Sequence, residues 1–191
     1  MFALKKNYYL IIQSIKDIDL SNIKKRYKFT IIYRNNSKIE KITDLINFRR
    51  FCKKKGINFF VANNFKLAIK LKADGFYISA NNLSYKKPYL FNYNFKIIGS
   101  AHNIHELNIK KVQGCTEFVF SRIFKTNYDY KKGYLGILKF NNLTNLTKND
   151  LIALGGIRFS NLNKMKFVKC KAFAISTEVK KKPAKIINRL F

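Results

Sequence analysis

The chain has 191 residues, 47% apolar and 15% aromatic, which is enough to bury a core without disulfide staples and excludes a disordered chain. Its formal charge of +29 favours anionic ligands and makes their binding salt-sensitive. The lysines are scattered over nearly every segment, so compositional drift explains them better than a nucleic-acid arm, and no nucleic-acid module is present.

The chain opens on MFALKKNYYLIIQS, whose apolar run is too short for a signal peptide or a membrane span, so a cytoplasmic protein with no membrane partner is expected. A first strand is read at Tyr8–Ile12, then an irregular connection over Asp17–Arg26, a strand at Phe29–Tyr33 and a helix over Ile39–Lys55. A strand at Asn58–Ala62, a helix over Phe65–Lys72 and a strand at Gly75–Ser79 follow. These two strands break off into Asn63-Asn64 and Asn81-Asn82. Asparagine suits a turn because it bonds its own backbone, yet in a parallel α/β protein the strand ends also carry the chemistry.

A second irregular connection, Ser84–Asn94, leads to a strand at Lys96–Ser100, a helix over Ile104–Gln113 and a strand at Glu117–Ser121. The remaining elements are a strand at Leu151–Gly155, a helix over Asn161–Lys169, a strand at Ala172–Ser176 and a helix over Lys181–Leu190. Cys52, Cys115 and Cys170 lie far apart with no CxxC pair, which points to buried thiols rather than a disulfide framework or a zinc site. Continuous apolar runs such as FVF, LIAL and AFAI suit strands buried on both faces, as in a parallel sheet. Eight strands alternating with helices or helix-length connections predict an α/β (β/α)8 TIM barrel, a single domain over residues 1–191 with some short helices. The alternative, an open doubly wound sheet, lacks both a G-x-G-x-x-G and a P-loop lysine.

Barrels bind phosphate through the loops after strands seven and eight. Here LIALGGIRFSNL places Gly155-Gly156-Ile157 after one of these strands, and AFAISTEV places Ser176-Thr177 after the other, with Lys180 to Lys182 behind. Paired glycines let backbone N–H groups approach an anion with no Cβ in the way. In IIGSAHNIHEL, Ser100 stands at the end of strand five, and Asn103 with Glu106 has the spacing of a capping box. His102 is read as structural rather than as a general base, and His105 as part of an exposed helix face. No acidic residue is expected beside them, so neither a metal site nor a triad is proposed.

Four blocks together resemble the thiamine phosphate synthase and TenI family of (β/α)8 barrels, from about Phe29 to Phe191. VANNFKLAIKLKADGFYIS resembles I-N-D-x-x-x-L-A…G-A-D-G-x-H-x-G, and IIGSAHNIHEL resembles I-G-x-S-x-H-x-x-x-E. FVFSRIFKT resembles Y-x-x-x-G-P-x-F-x-T, and ALGGI with AFAIST resembles A-I-G-G-I with a later V-x-x-I-S-A. The resemblance implies joining a hydroxymethylpyrimidine diphosphate to a thiazole phosphate, with release of pyrophosphate.

By the resemblance, Gly155, Gly156, Ile175 and Ser176 fall on the thiazole-phosphate cradle, with Arg122 and Thr126 as further phosphate-binding residues. Arg34 and Ser100 fall on the pyrophosphate positions. Lys131 and Lys132 follow Asp129, which holds the approximate place of the family's loop lysine. Asn63 and Asn82 replace the two Mg²⁺-binding aspartates. Neutral amides do not supply the charge that holds a hard cation, so the metal site is degenerate and Mg²⁺ is expected to arrive on the diphosphate. Ala62 replaces an asparagine, Ile32 and Asn36 replace polar partners of the arginine, and Tyr77 replaces a histidine. The TenI tautomerase histidine falls near Arg122. The alternatives are therefore a tautomerase, a non-catalytic thiazole-phosphate binder and, from another class, a basic nucleic-acid-binding protein. Self-association into an oligomer is left open.

Overall fold

The strand runs are buried on both faces, as all five residues of FTIIY over 29–33 illustrate, so each strand must be covered by neighbours inside and helices outside. A computed structural model describes residues 7–22, 28–35, 40–84, 96–126 and 133–176. Its strands are β1 (Asn7–Ile12), β2 (Phe29–Tyr33), β3 (Asn58–Ala62), β4 (Gly75–Ile78), β5 (Lys96–Ala101), β6 (Glu117–Ser121), β7 (Leu151–Leu154) and β8 (Ala172–Ile175). They pair in chain order, all in parallel, and β1 closes the ring against β8 with Tyr8 beside Phe173. The expected (β/α)8 barrel forms, and all eight strands end at one mouth.

Side chains alternate between two cores, as the two-residue period of a strand requires. Tyr9, Phe60, Tyr77, Val119 and Ile152 point into the barrel, while Leu10, Phe59, Phe120 and Phe173 pack outward beneath the helices. Inside, large residues meet small ones: a Cβ on Gly75 would stand 2.3 Å from the Phe60 ring. Cys52 and Cys115 are buried and Cys170 is half-buried, all as free thiols. Burial pushes the first two up to about 12, so they stay protonated and inert.

The helices are α1 (Ile42–Lys54), α2 (Phe65–Lys70), α3 (Ile104–Val112) and α4 (Gly136–Thr147). Two expectations need correction. The helix expected over Asn161–Lys169 is a 3₁₀ segment, Phe159–Phe167. The Asn161 amide accepts from Arg158 N–H and donates to Gly156 C=O, both at 2.8 Å, which ties its first turn to the preceding loop. Helix α4 was not expected, because GILKFNNLTNLT is rich in weak helix formers. Tertiary bonds support it: Asn141 donates to Phe167 C=O and accepts from Lys169 N–H, and Phe140 is fully buried. The first irregular connection contains short 3₁₀ turns at Ile15–Asp17 and Leu20–Asn22. Its residues 23–26, nearly all of Ser84–Asn94, and the helix expected at Lys181–Leu190 lie outside the described residues.

The end of the barrel away from the mouth is closed by one buried carboxylate. Glu117, 4% exposed, accepts from Tyr9 Oη at 2.8 Å and pairs with Lys96 Nζ at 2.8 Å and Lys171 Nζ at 3.0 Å. Burial alone would raise its pKa, but the bonds from Lys96, Tyr9 and Lys171 outweigh that and lower it. The bonds to Glu117 raise Lys171 above its ordinary 10.5. A lowered carboxylate stabilises the fold above its unfolded value and loses that contribution as pH falls through the folded one. A raised lysine contributes below its unfolded value and loses it as pH rises. The cluster therefore stabilises the protein between about pH 4.5 and 10.5. Glu117→Gln is expected to cost about 1–3 kcal/mol at neutral pH, with Lys96 and Lys171 returning to water, and to flatten the acid limb of a thermal-melting pH profile. A variant melting like wild type at every pH would contradict this role.

Candidate functional site at the strand ends

The asparagine after β3 has φ +57, a left-handed conformation that asparagine tolerates better than most residues. Asn63 Oδ1 accepts from Ser79 N–H at 2.9 Å and its Nδ2 donates to Ser79 Oγ at 2.7 Å. Ser79 C=O in turn accepts from Asn82 N–H at 3.0 Å, and Asn82 Oδ1 accepts from Ser84 N–H at 3.2 Å. The Asn63 amide oxygen thus ties the end of β3 to Ser79, and the Asn82 amide oxygen closes a turn onto Ser84. This donor set does not fit a resident Mg²⁺: the ligands are neutral, and their oxygens already accept from backbone N–H groups. Among the described residues, no group of three or more His, Cys, Asp or Glu could hold a metal. Asn64 caps α2 by accepting from Leu67 N–H at 3.0 Å.

Arg34 follows β2 directly and donates its backbone N–H to Ile12 C=O at 2.8 Å. Tyr33 is level with Val61, and Ala62 with Tyr77, so Arg34, Ala62 and Tyr77 share one level across three strands. Ala62 places only a methyl between the other two. Arg34 Nε and Tyr77 Oη are buried and have no hydrogen-bond partner among the described residues. Ser100, 7% exposed on β5, lies beside the phenol. Burial raises the Tyr77 pKa, against smaller opposing effects of Ser100 and Arg34. Ser100 and Tyr77 nevertheless do not meet in hydrogen-bond geometry, so among the described residues the phenol is a neutral donor without an acceptor.

The glycine pair after β7 adopts φ +97 at Gly155 and +69 at Gly156. The Leu154–Ala174 register sets Gly155 and Ile175 side by side, with Ser176 next along the chain. The loop after β6 wraps over the glycines: Ile123 N–H donates to Leu154 C=O and Phe124 N–H to Gly155 C=O, both at 3.0 Å. A Cβ on Gly155 would lie 2.8 Å from Arg122 Cγ, and one on Gly156 would lie 2.4 Å from the Phe124 carbonyl oxygen. Arg122 Nη1 reaches Thr126 Oγ1 at 3.4 Å. The fold therefore gathers Arg122, Gly155, Gly156, Ile175 and Ser176 on one sector of the mouth, and Arg34 with Ser100 around Tyr77 on another. Lys131, Lys132 and Thr177 lie outside the described residues.

Two arrangements escaped the sequence reading. Glu106 donates its N–H to Asn103 Oδ1 at 2.8 Å and accepts from Asn103 Nδ2 at 3.1 Å, so the Asn103 cap forms without the backbone arm of the expected capping box. Its carboxylate also lies 2.9 Å from His102 Nδ1 and accepts from His102 N–H at 2.7 Å, which corrects the expectation that no acid stands beside that histidine. The i, i+4 spacing was the available signal. Lys110 on α3 is fully buried and donates to Asn82 C=O at 2.6 Å and Gln113 Oε1 at 3.0 Å. Gln113 Nε2 also donates to Asn82 and Ser84 C=O, at 2.9 and 2.8 Å. The loop carrying Asn82 is therefore anchored through its backbone.

Over residues 16–179 the sequence matches the family described as thiamine monophosphate synthase. A thiamine-phosphate synthase of Pelagibacter ubique is 28% identical over 200 residues, covering 97% of this chain and 96% of that protein. One of Prochlorococcus marinus is 27% identical over 177 residues, covering 92% of this chain and 48% of that protein. The chain spans about half the length of several curated relatives it matches. Among solved structures, a thiamine phosphate pyrophosphorylase from Pyrococcus furiosus superposes with a TM-score of 0.70 at 15% identity, covering 97% of this chain and 96% of that one, a likeness of fold. Among the described residues no helix is long and apolar enough to cross a membrane.

Proposed function

Because the chain belongs to the thiamine monophosphate synthase family, we propose that it condenses hydroxymethylpyrimidine diphosphate with thiazole phosphate, releasing pyrophosphate, in the cytoplasm. The observation that carries this reading is the two-sector mouth. One sector has paired glycines beside the end of β8, and the other has the buried Arg34 Nε and Ser100 around Tyr77. Backbone donors at Gly156 and Ile157, together with Ser176, hold the thiazole phosphate. Arg122 and Thr126 lend charge and a hydroxyl from the β6 loop. Arg34 and Ser100 take the diphosphate and stabilise the negative charge that develops as it leaves. A positioned cation and donor in a water-poor site are worth more there than in solvent. Lys131 and Lys132 are assigned to the same diphosphate. Mg²⁺ enters as part of the diphosphate substrate.

A second reading, a non-catalytic binder of thiazole phosphate, is favoured by Asn63 and Asn82, whose amide oxygens accept from backbone N–H groups. A coupled assay with both phosphorylated precursors, with and without Mg²⁺, separates the two. Slow formation of thiamine phosphate that requires Mg²⁺ supports the synthase. Tight thiazole-phosphate binding with no product supports the binder. Titration calorimetry of the protein with Mg²⁺ alone is expected to give only weak heats. Tight binding without diphosphate would overturn the assignment of the metal to the substrate.

A further inference from the structure

We infer that Tyr77 Oη and Arg34 Nε together form a receptor for a phosphate oxygen of the diphosphate, with Tyr77 as a substrate-contacting residue. This rests on the synthase reading and deepens it. Arg34 Nε and Tyr77 Oη are the two buried side-chain polar atoms left without a partner among the described residues. Buried polar groups are otherwise satisfied almost without exception, so an orphan in a native fold calls for a specific explanation. Here two orphans occupy the same level of the barrel, on β4 and just past β2.

The chemistry of the pair selects its ligand. A guanidinium N–H can only donate, and a neutral phenol donates as readily as it accepts. Burial holds the phenol protonated. What satisfies both at once is an acceptor carrying negative charge, and a phosphate oxygen is one. Ala62 offers only a methyl at that level, so no large side chain separates the two. The phenol gives a hydrogen bond and keeps its proton, so no co-reactant is required. The arrangement also answers a need of this particular chain. Two neutral amides stand at the aspartate positions, and a fixed neutral donor beside a cation supplies part of the missing charge stabilisation without a metal ligand.

Tyr77→Phe removes only the hydroxyl and keeps the ring in the barrel core. Its melting temperature without ligand is expected to equal or exceed that of wild type, because no internal bond is lost. The full chain is then titrated with inorganic pyrophosphate in the absence of Mg²⁺, with inorganic phosphate as the control. Salt is held near 0.15 M to suppress binding to scattered lysines. Pyrophosphate affinity should fall about tenfold or more in Tyr77→Phe, equivalent to about 1.4 kcal/mol or more, while phosphate affinity stays the same. Equal pyrophosphate affinity in the two proteins overturns the inference, as does no pyrophosphate binding by wild type. A marked fall in ligand-free stability, including failure to fold, also overturns it by assigning the hydroxyl a structural partner. If pyrophosphate binding depends on Tyr77 but no thiamine phosphate forms, the receptor stands and the synthase reading fails.

Discussion

Arg34→Ala is expected to reduce turnover by about 10²–10³, the usual cost of removing one positioned donor or cation from a step in which charge develops. The expectation follows from where the guanidinium sits. Its backbone is tied to Ile12, and its Nε is buried with no partner among the described residues, which leaves that donor for a ligand. The Asn63 and Asn82 oxygens are engaged by the backbone N–H groups of Ser79 and Ser84. Less charge is therefore available from the metal positions, and the arginine carries a larger share than it would beside two carboxylates. Thiazole-phosphate affinity should survive, because the glycine cradle lies at the ends of β7 and β8, with β1 standing between β8 and the β2 end that carries Arg34. Rapid-quench turnover and calorimetric binding, measured on the same preparations, separate the two effects. Equal turnover in Arg34→Ala and wild type would rule out this use of the arginine. Loss of thiazole-phosphate binding in the variant would mean that the two sectors are one site.

Gly156→Ala is expected to abolish measurable thiazole-phosphate binding and to lower the melting temperature by several degrees. Two costs add. A φ of +69 is strained for a residue with a Cβ by about 1–2 kcal/mol. In addition, the new methyl would meet the Phe124 and Lys125 carbonyl oxygens at 2.4 and 2.6 Å, so the β6 loop has to move. That loop carries Arg122 and Thr126, and moving it displaces the cradle from both sides. Gly114→Ala is the matching control. It has φ +82 but nothing within 4 Å of the added Cβ, so it should cost stability through strain alone and leave phosphate binding intact. If Gly156→Ala retains wild-type affinity, the glycine pair only turns the chain and the phosphate is held elsewhere.

Much of this site could be read before folding, because it depends on local chemistry. Asn64 and Asn103 cap α2 and α3, as an amide just before an apolar periodic run should. The glycines of LIALGGI adopt positive φ, which little else would accept there. Where the reading failed, contacts distant in sequence had overridden local preference. Helix α4 has poor propensity but is held by Phe140 in the core and by Asn141 bonded to the Phe167–Lys169 segment. The Phe159–Phe167 segment is bonded to the β7 loop through Asn161 and winds as a 3₁₀ helix.

The amino-acid sequence by itself determined the eight strands, their order and the single mouth at which their ends meet. Each strand is a local apolar run, and helical connections force parallel neighbours in chain order. It also determined which residue types stand at the strand ends, including the two asparagines. What those residues do there was decided by the tertiary structure. Whether the Asn63 amide oxygen faces a ligand or a backbone N–H depends on where Ser79 lies, a matter of how β3 and β4 pair. Whether Arg34 and Tyr77 are satisfied depends on a register that brings them level and sets only Ala62 between them. A strand's register is a relation between segments, and no segment carries it alone, because shifting one strand by a single residue turns every side chain to the other face.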